Sequence, residues 1–197
     1  MKRIASVAAA LALALPGLAL GAGSTWQIDP AHTRAGFGVK HLVISTVRGE
    51  FGKTAGTLTL DEGDVTKSKV EATIDVTSID TREPKRDEHL RSPDFFDAAK
   101  YPTITFKSTK VEKAGDGQLR VTGDLTMRGV TKPVTLQVTG PTQEIKDPWG
   151  NARRGFSATT KLNRKDFGLN WSKTIEAGPV VGDEVTIDIE GEMAKAK

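Results

Sequence analysis

Residues 86–106, RDEHLRSPDFFDAAKYPTITF, set Asp87, Glu88, His89, Asp94 and Asp97 around the adjacent Phe95 and Phe96. Carboxylates beside an imidazole can work as an acid–base pair or hold a metal ion. The spacing here argues against the metal site, and leaves the carboxylates able to supply an acid–base pair. Adjacent residues on a helix point in different directions, so Asp87, Glu88 and His89 do not converge from one turn. The other histidines, His32 and His41, would lie on opposite faces of a continuous strand, because their separation is odd. No H-E-x-x-H run, calcium loop or G-x-S-x-G elbow occurs. GFG at 36–38 lacks the third glycine and the strand-to-helix setting of a phosphate loop. The chain has no cysteine, which excludes disulfides, thiolate zinc sites and a cysteine nucleophile. No metal and no cofactor are expected. A Ser-His-Asp set assembled only by folding stays open at this level. The expected role of the acids is to cap short helical turns and to pair with Arg82, Arg86 and Arg91. Leu90, Phe95 and Phe96 then form the apolar side.

The elements that must carry these residues read as strands. At 69–77, Val70, Ala72, Ile74 and Val76 alternate with polar residues. At 119–128, Leu119, Val121, Gly123, Leu125 and Met127 share one face. The same holds for Val134, Leu136 and Val138, for Phe156, Ala158 and Leu162, and for Val185, Ile187, Ile189 and Met193. Shorter runs carry Trp26 and Ile28, Phe37 and Val39, Leu58 and Leu60, and Ile104 and Phe106. Period-2 alternation puts one face on an apolar interior and one in water, as in antiparallel sheets. A sheet of eight or nine such runs in one domain must close into a barrel or fold into a sandwich. Several inward positions are small: Ala72, Gly123, Gly140, Ala158 and Gly191. They mark either a ligand cavity or bulges and bends, and the pattern leaves both open. The exception to alternation is a short helical insertion over about 84–97. Pro84 suits a first turn, and Ser92-Pro93-Asp94 reads as a second start.

The N-terminus, MKRIASVAAALALALPGLALGAG, has the basic, apolar and small-residue order of a secretory signal peptide. Its apolar run is shorter than the roughly 20 residues of a membrane span. Residues 1–22 are expected to be cleaved, leaving one domain over 23–197 with no membrane span, exported to a periplasm. Lys2 and Arg3 are two of the 28 basic residues against 25 acidic ones, and the segment holds no acid. The mature chain is thus close to neutral, with no electrostatic case for nucleic acid. Aromatics are too few for a base-stacking platform, and Trp149 and Trp171 sit in loop-like segments suited to rim or packing roles.

Five blocks together resemble the YceI-like family: WQIDPAHTRAGFGVKHL (26–42), VRGEFGKTAGTL (47–58), SIDTREPKRDEHLRSPDFFDAAKYPTITFKS (78–108), GDLTMRGVTKPVTL (123–136) and LNRKDFGLNW (162–171). The resemblance implies an all-β, closed, lipocalin-like antiparallel barrel of about eight strands that binds a long polyisoprenoid, quinone or fatty chain. It tips the open choice between cavity and bulges toward a cavity. The lining expected on this basis is Phe37, Val39, Phe51, Leu58, Leu60, Ile74, Val76, Leu90, Phe95, Phe96, Ile104, Phe106, Leu125, Met127, Phe156, Leu162, Phe167 and Trp171. His41, Arg48, His89 and Arg154 are the expected contacts for a polar head group. Burying an alkyl chain yields about 0.8 kcal/mol per methylene, so binding needs no cofactor. The alternatives are an enzyme acting on a lipid-like or quinone substrate through Asp87 and His89, and a stress-linked interaction module. A homodimer is also expected from the length of the sheet.

Overall fold

In the computed structural model, which describes residues 23–176 and 178–196, alternation becomes strands along most of the chain. The expected signal peptide lies outside the described residues. The strands are β1 (Ser24–Ile28), β2 (Arg34–His41), β3 (Ser45–Phe51), β4 (Thr54–Leu60), β5 (Lys69–Asp75), β6 (Ile79–Asp80) and β7 (Thr103–Gly115). They continue with β8 (Gln118–Met127), β9 (Val130–Thr139), β10 (Ile145–Lys146), β11 (Ala152–Asn163), β12 (Thr174–Ile175), β13 (Gly178–Pro179) and β14 (Val181–Lys195). The α-helix α1 spans Pro84–Arg91.

Eight strands close a ring in the order β11-β9-β8-β7-β5-β4-β1-β14, sealed by the β11–β14 pair, and all its pairings are antiparallel. Closure removes the edges that an open sheet of this size would expose. β14 does most of the joining. One edge pairs with β11 along nearly its whole length. The other pairs first with β2 and then, past Glu190, with β1. β1 and β2 are therefore one long strand broken by a 3-10 turn at Pro30–His32, where Asp29 accepts from Ala31 N. β3 and β4 lie beyond them as a second broken strand, and β5 and β6 as a third. On this side the sheet ends at the two-residue β6, and α1 packs beside it.

α1 begins as expected, with Pro84 in its first turn, but it stops at Arg91. Pro93 biases the residue before it toward extended backbone. Ser92 accordingly has φ −70° and ψ 170°. Residues 93–96 are turns, and Asp97, which follows them, sits at φ 50°. The expected pairing of Arg82, Arg86 and Arg91 with nearby acids does not form among the described residues. Arg86 and Arg91 instead donate to the backbone carbonyls of Thr81, Thr77 and Ile79. Carbonyls in irregular backbone lack ladder partners, and a planar guanidinium can satisfy several of them.

The small inward residues divide by role. Ala72 and Ala158 line the interior space. Gly123 and Gly191 make room for rings: a Cβ on Gly123 would lie 2.5 Å from Phe106 Cζ, and one on Gly191 3.0 Å from Phe156 Cε1. Gly49 does the same for Phe37, its direct cross-strand partner. Rings laid over glycine stay close to the wall and leave the lumen open. Gly140, at φ 110°, follows β9 as a turn glycine.

Candidate functional site

The inward side chains enclose a cavity of about 430 Å³, within the roughly 300–1,000 Å³ of small-molecule sites. It runs much of the barrel's length: Leu119, Val121, Leu125 and Met127 of β8 all line it, a stretch of strand of about 26 Å. All of the expected apolar residues line it except Val76 and Phe167. β5 ends at Asp75, so Val76 drops out of the alternation into a 3-10 turn, where it is buried in the core. Phe167 lies in another 3-10 turn at Arg164–Phe167 and is likewise buried in the core behind the cavity. Sequence reasoning omitted several lining residues, among them Val70, Leu136, Ile187 and Ile189. Their alternation was the signal.

One end is stoppered by Trp26, which is fully buried with Leu58, Leu60 and Met193. Its indole Nε1 donates to Ser24 Oγ (2.7 Å), which in turn donates to Glu62. Arg154 and Lys195 stack over the ring, 4.9 and 5.5 Å from its centroid. Such cation–π contacts favour holding a buried indole in one orientation. Arg154 is therefore not a rim residue, as expected, but part of the stopper. It also donates to the carbonyl of Thr142 and pairs with Glu62.

The opposite end carries the ionisable lining: Lys40, His41, Arg86, His89 and Arg164. Here His89, Phe95 and Trp171 form a mutual cluster with centroid distances of 4.9–5.2 Å, and all three line the cavity. His89 Nε2 is 2.8 Å from Asp94 Oδ2, which fixes the ring's orientation. Phe96 turns further in and meets Phe51 edge-on at 5.7 Å. Two arginines brace the backbone behind this cluster. Arg128 joins its two halves by donating to Pro93 O and Gly168 O. Arg164, 4 % exposed, donates to the carbonyls of Leu169, Trp171, Val181 and Gly182. Burial pulls its guanidinium below the usual value, and the Asp183 carboxylate opposes that shift.

His41 and His89 thus stand at the rim, whereas Arg48 does not. Arg48 shares β3 with Val47, which lines the cavity, and the next residue on a strand faces the other way. It lies outside, over Gly38. Asp87 and His89 do not form an acid–base pair either. Asp87 is buried and accepts from Thr81 N (2.9 Å) and Thr81 Oγ1 (2.5 Å), tying α1 to the end of β6. It neither faces water nor reaches the lumen. Elsewhere, Asp29, His32 and Glu192 bring potential metal-ligand atoms within 4.8 Å of one another. Asp29 Oδ2 is already shared by His32 and Arg153, so a cation there would compete with the arginine.

A barrel with this lining meets its match at the level of family. The YceI-like domain model matches residues 26–193. The chain belongs to the YceI-like family. Among YceI-like relatives, Protein YceI of Escherichia coli O157:H7 is 43% identical over 192 residues, covering 94% of this chain and 97% of that one. A UPF0312 protein of Vibrio parahaemolyticus is 41% identical over 189 residues, covering 96% and 95%. The solved YceI protein of Campylobacter jejuni is 33% identical with a TM-score of 0.69, over 80% of this chain and 90% of that one. BcnA of Burkholderia cenocepacia superposes with a TM-score of 0.73 at 26% identity, over 84% and 98%. The YceI-like barrel also shares its fold with a polyisoprenoid-binding domain from Saccharophagus degradans, at a TM-score of 0.64, 15% identity, and 88% and 99% coverage.

Proposed function

We propose that this YceI-like protein is an exported, periplasmic carrier that holds one long-chain lipid, a polyisoprenoid, quinone or fatty chain, inside the barrel. The observation that carries the reading is the cavity itself: long, mostly apolar along its walls, stoppered at Trp26 and with its ionisable lining gathered at the His41–His89 end. Each methylene moved from water into such a lumen contributes about 0.8 kcal/mol, so ten would supply about 8 kcal/mol before the cost of ordering the chain. The binding named for the Saccharophagus degradans domain agrees with this reading. The leader-like segment at 1–22 supports export. Transport, storage and stress protection all use the same binding step.

The separation of Asp87 from the lumen removes the pair on which an enzymatic reading would rest. The test is direct. The natively purified protein is extracted with organic solvent, and the extract is identified by mass spectrometry. A lipid near one per barrel is expected. Recovery of none, together with failure to bind added polyprenyl or fatty chains, overturns the proposal.

A further inference from the structure

The β2–β3 hairpin turns at Leu42 and Val43, which sit at φ 51° and 65°. That left-handed region suits glycine and asparagine, and a β-branched residue there is strained. Val43 and Ile44 are also 58% and 82% exposed. A tip that serves only to turn the chain gains nothing from strained, water-exposed aliphatics. Its position is specific. His41, the residue before the tip, lines the cavity, and Leu42 N donates to the carbonyl of Val180, another lining residue. The neighbouring β12–β13 hairpin adds the exposed Ile175, and Val43 Cγ2 comes within 3.4 Å of the Cβ position at Gly178.

The charges beside this tip are mostly positive. Residues 40–48 and 173–180 hold Lys40, Arg48 and Lys173 against the single acid Glu176. Of the next acids, Glu50 lies further along β3 from the tip, paired with Gly36, and Asp183 and Glu184 are taken by Arg164, Lys165 and Lys161. Lys40, Arg48 and Lys173 have no acid partner among the described residues.

We propose that this end of the barrel docks on a lipid surface carrying anionic head groups, with Val43, Ile44 and Ile175 entering the head-group layer and the three cations resting on it. Aliphatic side chains with flanking cations are the combination that interfacial membrane binding uses. Docking in this orientation sets the His41–Trp171 rim against the membrane, so that a lipid chain passes into the barrel without crossing water. The proposal rests on the lipid-holding reading above.

The experiment has two arms. In the first, the protein lacking residues 1–22 is sedimented with vesicles of phosphatidylethanolamine containing phosphatidylglycerol, and with vesicles of phosphatidylcholine alone. Binding to the anionic vesicles is expected, and it should weaken about tenfold or more when two aliphatic side chains leave the interface in V43S/I44S. It should also weaken in R48E/K173E, whereas Trp149→Ser, on the β10–β11 turn, should bind like the parent. In the second arm, a fluorescent fatty acid is delivered from ethanol without vesicles, and all variants should take it up equally. Vesicle binding that is absent, or that survives V43S/I44S, overturns the docking proposal while uptake leaves the carrier reading standing. Failure of uptake by every form counts against the carrier reading, whatever the vesicles show.

Discussion

Gly49 and Phe37 face each other across β3 and β2, and Phe37 Cζ lies 2.5 Å from where a Cβ on residue 49 would be. The nearby atoms are side-chain atoms of Phe37 and Thr81, so Gly49→Ala moves a ring rather than the backbone. The free space is the lumen. A ring tipped inward displaces about two methylenes of a bound chain, worth about 1.6 kcal/mol, or roughly tenfold in Kd. Gly49→Ala should therefore weaken binding of a long fluorescent fatty acid about tenfold, and adding Phe37→Ala should restore it. Unchanged titrations for the single variant would show that the ring has another place to go. Asp29 sets a different test at the same scale. Hydrogen bonds from His32 and then Arg153 hold its carboxyl at about 2. A carboxylate lowered in the folded state contributes stability that is present above its unfolded value near 4 and lost as pH falls toward about 2. His32 is raised, mainly by Asp29. Its share is present below its usual value and fades as pH rises through the raised one. The difference in urea midpoint between the parent and Asp29→Asn should thus shrink below pH 4 and again on the alkaline side of His32. A difference that stays flat across both windows refutes the linkage.

At the scale of elements, the irregular segments are the least regular part of the barrel, and arginines hold them in place. Arg164 gathers the carbonyls of Leu169, Trp171, Val181 and Gly182 around one buried guanidinium. Leaving a buried polar group unmatched costs about 1–3 kcal/mol. Arg164→Met should therefore destabilise the protein by about 3 kcal/mol or more in urea unfolding, far beyond a surface substitution. A loss below 1 kcal/mol would mean that water replaces the guanidinium. These segments also mark where sequence reading ended. The strands of β5, β8, β9, β11 and β14 were legible because period 2 records a burial face directly, and most of the lining followed from them. Val76 and Phe167 were misplaced because alternation says nothing once a strand yields to a 3-10 turn. Arg154 was misassigned because a long side chain reports its residue type but not which end of a barrel its strand presents. The carbonyl bracing by Arg86, Arg91, Arg128 and Arg164 had no sequence signal, since their partners are backbone carbonyls, which every residue carries whatever its type.

For the molecule as a whole, closure and emptiness pull in opposite directions. Eight strands pair around a closed ring, yet a cavity of about 430 Å³ forgoes the packing that a filled core would have. Dispersion contacts missing from the lumen wall are returned only when something apolar fills it. On the proposed carrier reading, a lipid that binds the folded barrel and not the unfolded polypeptide must raise stability by mass action. With lipid at a hundred times its Kd, the gain is about 2.7 kcal/mol. For a domain of this size, each kcal/mol moves Tm by about 2–4 °C, which gives about 5–11 °C. The protein as purified should therefore melt higher than the same protein after solvent extraction and refolding, and adding back the extracted lipid should recover the difference. Gly49→Ala should recover less of it, because its lumen holds less chain. Equal melting temperatures for the extracted and reloaded forms, at lipid concentrations where binding is saturated, would mean that the chain does not occupy the space the walls enclose.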